Sequence, residues 1–191
     1  MYFGSKKGLG LDYLIPLFDG GGRTAAALDF FANVHNTSFS AEYWAWVKNQ
    51  TMEKAIDFDG ALVNPCHIES GVVGIPKTII FPSEEEGPEV STGNLPGLAA
   101  AVIKVQLQKS MKRVNVTVEG QPGFNNLAYK VYREGEAELT DGKPACQSLT
   151  DGERVVRRAE ASDVLYVLIA NTSPNASDML AYTMTIAKEK P

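Results

Sequence analysis

Histidine is nearly absent from these 191 residues, occurring only at His35 and His67. That scarcity removes most routes to a metal centre or an imidazole base. A zinc site needs three or four protein ligands. The two histidines and the two cysteines, Cys66 and Cys146, would supply them only if all four converged. His35 falls on an apolar helical stripe, where a histidine satisfied within a core or interface is the ordinary outcome. No Gly-x-Ser-x-Gly elbow supports a serine hydrolase. No apolar run approaches the roughly 20 residues that a membrane-spanning helix needs. Basic clusters are also scarce. "KSMKR" (109–113) and "RVVRR" (154–158) alternate with apolar residues and read as solvated strand faces. With a formal net charge of −5, the chain is poorly suited to sequence-independent nucleic-acid binding or to an anionic membrane surface. Met1 opens directly into "YFGSKKGLGLDYL" with no signal peptide, which leaves a cytosolic protein or a chain whose beginning lies elsewhere.

What is present is a globular composition, 44% apolar and 21% charged, enough for a sizeable core. The chain changes character near residue 60. Before it, the hydrophobic period is helical. The run "LGLDYLIPLF" is broken by Pro16 and ends at "DGGG" (19–22), a turn without the signature of a phosphate-binding loop. Thr24 is an N-cap for "AAALDFFANVH", which aligns Leu28, Phe31, Ala32 and His35. Ser38 or Ser40 then caps a second helix that runs to Phe58 and carries both tryptophans, with Glu42 in its first turn. Its apolar residues occupy two sides: Trp44, Trp46, Val47 and Phe58 on one, Ala45, Met52 and Ile56 on the other. Such a helix packs between two partners. The preceding helix covers one side; the following domain, or protein outside this chain, covers the other.

From Gly71 onward the pattern is that of strands. "GIPKTIIFPS", "LAAAVIKVQL", "RVNVTVEG", "NLAYKVYRE", "ERVVRRAE", "DVLYVLIAN" and "MLAYTMTIAK" follow one another, separated by turns such as "EGQPGFNN" and "NTSPNASD". Val114, Val116 and Val118 point one way, with Asn115 and Thr117 the other. The unbroken apolar run "DVLYVLIAN" predicts a central strand. The fold class is mainly β with an N-terminal helical segment, the β part an antiparallel jelly-roll-like sandwich.

Few residues point to chemistry. In "NPCHIESG", Cys66 and His67 are adjacent on an extended segment, so their side chains face opposite ways and make a poor nucleophile–base pair. His67 and Glu69 can share a face, as an ordinary surface contact would. Asp57 and Asp59 in "DFDG" have the i, i+2 spacing of calcium loops, but "ALVNP" adds no further ligand. An exposed acidic helix end explains them more simply, with room left for a calcium ion shared between the acidic connection "SEEEGPE" and the sandwich. Among the sandwich aromatics, Tyr129, Tyr132, Tyr166 and Tyr182 read as core or half-buried strand residues. Phe124, in the turn "QPGFNN", has less core to join and is the candidate binding aromatic. Asn-x-Ser/Thr triplets occur at Asn36, Asn49, Asn115, Asn171 and Asn175. Cys66 and Cys146 are a disulfide in a secreted chain and two plain thiols in a cytosolic one.

"TGNLPGLAAAVIKVQL", "RVNVTVEGQPGFNNLAYKVYRE" and "VLYVLIANTSPNASDMLAYTMTI", in that order, resemble a bacterial pre-peptidase C-terminal domain, a small jelly-roll sandwich appended to secreted proteases. The earlier stretch from "LGLDYL" to "MEKAID" resembles the last helices of a secreted metalloprotease catalytic domain. The resemblance implies a helical segment over 1–62, a linker with a first strand over 63–97 and a sandwich over 98–191. It implies a secreted or periplasmic accessory portion of a zinc metalloprotease-like protein, with the rest of that protease as partner and a protein or polysaccharide surface as ligand. It also favours the Cys66–Cys146 disulfide. The family's His-Glu-x-x-His is missing, so no catalytic residue and no metal ligand carries over, and zinc belongs only to a longer parent. The competing readings are a free-standing extracellular binding or adhesion module and a small hydrolase using His67 or His35.

Overall fold

A computed structural model describes residues 36–48, 51–52, 55–56, 62–63, 77–81, 88–107, 113–138, 144–148, 155–156 and 164–188. The second half builds two sheets. The first contains β3 (Lys77–Phe81), β5 (Ala99–Leu107), β7 (Leu127–Glu138), β8 (Pro144–Ser148) and β10 (Val164–Asn171), in the order β3-β5-β10-β7-β8. The second contains β4 (Glu89–Leu95), β6 (Arg113–Gly120), β9 (Val155–Val156) and β11 (Leu180–Lys188), in the order β4-β11-β6-β9. A separate two-residue ladder pairs β1 (Ala55–Ile56) with β2 (Leu62–Val63). The fold is a mainly β sandwich with a helix before it. Among the described strands all pairings are antiparallel except β3–β5, which is parallel. Between β3 and β5 the chain contributes β4 to the other sheet, so the two parallel strands are neighbours in one sheet but not consecutive in the chain.

Alternation explains the core. Leu165, Val167 and Ile169 of β10, Ile103 and Val105 of β5, Val114 and Val118 of β6, and Leu180, Tyr182, Met184 and Ile186 of β11 face one another between the sheets. β10 is the central strand of its sheet, as its unbroken apolar run requires, because both of its faces are buried. Its other face carries Tyr166, Leu168 and Ala170, which join Ala100, Val102 and Tyr132 in a second apolar cluster. That cluster is closed by the helix α1 (Phe39–Lys48). Phe39, Tyr43 and Val47 recur every four residues and form its buried stripe, with Met52 just beyond. Trp44 and Trp46 pack beside this stripe, half-buried.

The helix differs from the sequence expectation in two ways. Its α-helical span is Phe39–Lys48 and Thr51 and Met52 have π-helical backbone, but Ile56 lies on β1 rather than on a helical face, because Ala55 and Ile56 pair with Val63 and Leu62. The stripe that contacts the sheet is also offset from the one built on Trp44, Trp46 and Val47. The sandwich itself covers this helix, so α1 shares a core with the sheet that the sequence placed in another segment. The sandwich likewise starts before residue 98: β3 and β4 lie within the stretch expected to be linker and first strand, yet each is an edge strand of one sheet. Prolines bracket both, Pro76 and Pro82 around β3 and Pro88 and Pro96 around β4, which keeps these edges short. Of "ERVVRRAE", the described residues are Val155 and Val156, and they form the strand β9.

One end of the sandwich is closed by the β10–β11 connection. Asn171 is fully buried, and its Nδ2 donates to the carbonyls of Leu95 (3.0 Å) and Asp178 (2.7 Å). Its Oδ1 accepts from the Ser173 amide at 3.1 Å. Leu95 closes β4 and Asp178 precedes β11, so a side chain on the first sheet is bonded at the ends of two neighbouring strands of the second. The Leu98 amide donates to the Asn171 carbonyl at 3.1 Å, with Leu98 held at a φ of 59°. Gly97 is obligatory beside it, since a Cβ there would run into the Asn175 carbonyl. Within the loop, Ser173 Oγ donates to Asp178 Oδ2 (2.6 Å) and Asn175 Nδ2 to Asp178 Oδ1 (3.0 Å). The same connection anchors the helix. Ser38 caps α1, its Oγ accepting from the Ala41 amide at 3.1 Å, while Ser40 Oγ donates to the Thr172 carbonyl at 3.0 Å.

Two outcomes follow. Asn171→Ala leaves two buried partners and one half-buried partner without their bond and costs about 3 kcal/mol in urea unfolding, and Asn171→Asp costs more because an oxygen then faces two carbonyls. A loss below about 1 kcal/mol for Asn171→Asp removes Asn171 as the link between the sheets. The second concerns Tyr43, whose hydroxyl is pushed by burial from its ordinary value near 10 up to about 12. The folded state therefore holds this proton where the unfolded chain releases it. The contribution is intact below pH 10 and lost as pH rises through about 12. Melting temperature should fall along this alkaline limb less steeply in Tyr43→Phe than in the wild type.

Candidate functional site

The two sheets treat their outer faces differently. α1 covers the outer face of the first over β5, β10 and β7. The outer face of the second carries short polar side chains. Thr183 of β11 sits between Thr92 of β4 and Glu119 of β6, and Thr185 between Val90 and Thr117. One step the other way, Ala181 pairs with Asn94, and the Gln121 amide donates to the Ala181 carbonyl at 3.0 Å. The small Ala181 is thus ringed by longer side chains, and an open groove of about 560 Å³ lies over it, lined by Thr92, Asn94, Glu119, Gln121, Pro122 and Thr183. That volume lies within the roughly 300–1,000 Å³ of ordinary ligand clefts.

Gln121 is fixed. Its Oε1 accepts from the Ala181 amide (2.6 Å) and its Nε2 donates to the Met179 carbonyl (3.0 Å), so the side chain continues the ladder where β6 stops. Thr92, Asn94, Glu119 and Thr183 make no side-chain hydrogen bond to another described residue. Thr92, Asn94 and Glu119 are exposed and Thr183 half-exposed. They contrast with the β10–β11 connection, where Asn171, Ser173, Asn175 and Asp178 all spend their side chains on one another or on backbone.

The floor is held from beneath. Tyr182 lies between two glycines, paired with Gly93 on β4 and Gly120 on β6. It turns inward and is buried, and burial pushes its hydroxyl above the ordinary tyrosine value. A Cβ at Gly93 would stand 2.5 Å from the Tyr182 hydroxyl and 2.6 Å from Cζ, so glycine lets the ring lie against the β4 backbone.

Of the site residues singled out from sequence, Cys146 and Phe124 are among the described residues, and neither is in the groove lining. Asp57, Asp59, His67 and His35 lie outside the described residues, as does Cys66, while Cys146 is on β8 opposite Glu134. Phe124 is half-buried and packs on the inter-sheet core. Its amide donates to the Gln121 carbonyl at 3.2 Å, folding the turn back so that its ring closes the core rather than standing free. Among the described residues no three histidine, cysteine, aspartate or glutamate side chains gather as a metal site, and no helix is long and apolar enough to cross a membrane. The groove was missed because its members are ordinary strand residues. The trace in the sequence is the outward series Thr92, Asn94, Glu119, Thr183, Thr185 around a small Ala181.

No family model matches the chain. No curated protein matches it either. Among solved structures it is similar to PliG, a periplasmic lysozyme inhibitor of g-type lysozyme. The Aeromonas hydrophila protein is 10% identical over 59% of this chain and 96% of its own, with a TM-score of 0.38. The Salmonella Typhimurium protein is 14% identical over 60% of this chain and 100% of its own, and an Escherichia coli PliG mutant 12% identical over the same shares, both with a TM-score of 0.38. Likeness at this level carries no inference about activity or ligand.

Gly93→Ala should cost about 1–3 kcal/mol by overpacking against the Tyr182 ring. In a Tyr182→Leu background the same change should cost less than half as much, read by urea denaturation as a double-mutant cycle. Equal costs in the two backgrounds would show that the ring does not set the glycine.

Proposed function

We propose that the chain is a secreted or periplasmic, non-catalytic binding module whose contact face is the outer surface of the four-stranded sheet. The observation that carries this reading is the unequal use of polar side chains. Those at the sandwich end are engaged internally, while Thr92, Asn94, Glu119 and Thr183 surround a groove with none of their capacity used by described residues. Polar groups held on rigid strands and left unpaired are suited to hydrogen-bond a partner with little ordering cost. The peptidase-tail expectation concerns what the module is attached to; the contact face is the same in either setting.

The test is a substitution on the groove floor. Ala181 is exposed on the outer face, so Ala181→Arg fills the groove without disturbing the core. The wild-type chain is screened against defined polysaccharides and against purified extracellular proteins, and every ligand found is re-measured with Ala181→Arg. The expected result is an affinity loss of at least about tenfold, ~1.4 kcal/mol, with a melting temperature within about 2 °C of wild type. Undiminished binding by the folded variant places the contact face elsewhere.

A further inference from the structure

The contact-face reading leaves the ligand open, and the charge of the groove narrows it. Among the described residues of the lining, Glu119 is the one acidic or basic side chain; the others are threonine, asparagine, glutamine, tyrosine, proline, alanine and glycine. It stands at one end of the row Thr92–Thr183–Glu119, on the strand next to Thr183. The Gln121 amide, which could have satisfied a carboxylate nearby, is committed to the Ala181 amide and the Met179 carbonyl. The chain as a whole carries −5, so an anionic ligand is repelled at long range and a cationic one attracted.

Along the row the chemistry changes from hydroxyls, which both donate and accept, to a carboxylate, which only accepts. The three side chains are spaced by one strand each, about 4.8 Å apart. A ligand that matches this row offers neutral donors and acceptors at one end and a cationic donor at the other. An extended polypeptide does so, with backbone N–H and C=O toward Thr92, Asn94 and Thr183. A guanidinium then reaches Glu119, where its planar fork fits a carboxylate with two parallel bonds. The alanine floor leaves room for the aliphatic stem of such a side chain to lie flat.

We propose that the groove over Ala181 receives an arginine-bearing segment of a partner protein, with the Glu119 carboxylate taking the guanidinium. The proposal rests on the contact-face reading and specifies its ligand.

The experiment is a titration of isotopically labelled protein, followed by amide chemical shifts, with three probes. One is the peptide Gly-Thr-Arg-Thr-Gly, the second the same peptide with citrulline in place of arginine, and the third the neutral oligosaccharide maltohexaose. The expected result is that the arginine peptide shifts the amides of Thr92, Glu119, Ala181 and Thr183, and that citrulline weakens this at least about tenfold. Glu119→Gln should weaken the arginine peptide by a similar factor. Glu89→Gln removes the same unit of charge at the far end of β4 and should change affinity less than about twofold. Equal effects of Glu119→Gln and Glu89→Gln overturn the proposal, because attraction would then follow net charge alone. So does a peptide response confined to amides outside the groove, or none at all. If maltohexaose shifts the groove amides and the peptide does not, the arginine proposal falls while the contact face stands. If no probe reaches the groove and Ala181→Arg also leaves every ligand from the screen bound, both fall.

Discussion

The fold depends on the Asn171 amide reaching from one sheet to the other. A sandwich whose sheets are held only by apolar contact can slide, because the hydrophobic effect is non-directional. Asn171 removes that freedom at one end. Its Nδ2 is shared between Leu95, where β4 finishes, and Asp178, just before β11 begins. The cost of burying a primary amide is offset only when its donors and acceptor all find partners, and here all three bonds are present. Because β11 lies between β4 and β6, fixing its start also fixes where the outward-facing residues of three strands stand relative to one another.

The same connection reaches the helix. Ser40 is bonded to Thr172, and Thr172 in turn donates its amide to the Asn126 carbonyl ahead of β7. α1 is thereby registered against the sheet by a polar contact at its first turn and by Phe39, Tyr43 and Val47 along its length. Covering this face of the first sheet leaves the opposite side of the molecule, the outer face of the second sheet, as the surface on which short polar side chains stand in rows. Tyr182 supports that surface from inside, filling the space that Gly93 leaves under β4. The groove is therefore a by-product of core packing: a small residue outside at Ala181, flanked along the strand by inward-facing Leu180 and Tyr182.

Strand identity was the most legible part of the sequence. The period-two alternation of Val114, Val116 and Val118 and the unbroken run of β10 both reflect burial that the structure confirms, on one face for β6 and on two for β10. The sequence hid β4, because "EVSTGNL" alternates polar with small residues and places only Ser91, Gly93 and Leu95 inward. It also misled on the helix. Tryptophans dominate any apolar inventory, yet the contact stripe is set by Phe39, Tyr43 and Val47, and the large indoles pack at its margin. The groove left little trace because threonine and asparagine on an outward face look the same whether they meet water or a ligand. Phe124 drew attention as a turn aromatic, but a turn between two strands can fold its ring onto the core it connects.

Asn171 also heads the triplet Asn171-Thr172-Ser173, an acceptor sequence for oligosaccharyl transfer. In a eukaryotic secretory host that transfer takes place on the emerging, unfolded polypeptide, when this amide is still open to solvent. A glycan attached to Nδ2 would consume a proton that the finished molecule spends on a carbonyl and would set a bulky sugar in a space with no room for it. Yeast or insect expression would thus sort the product into unmodified chains that close and decorated chains that do not, whereas a bacterial cytoplasm or periplasm lacking the transferase imposes no such sorting.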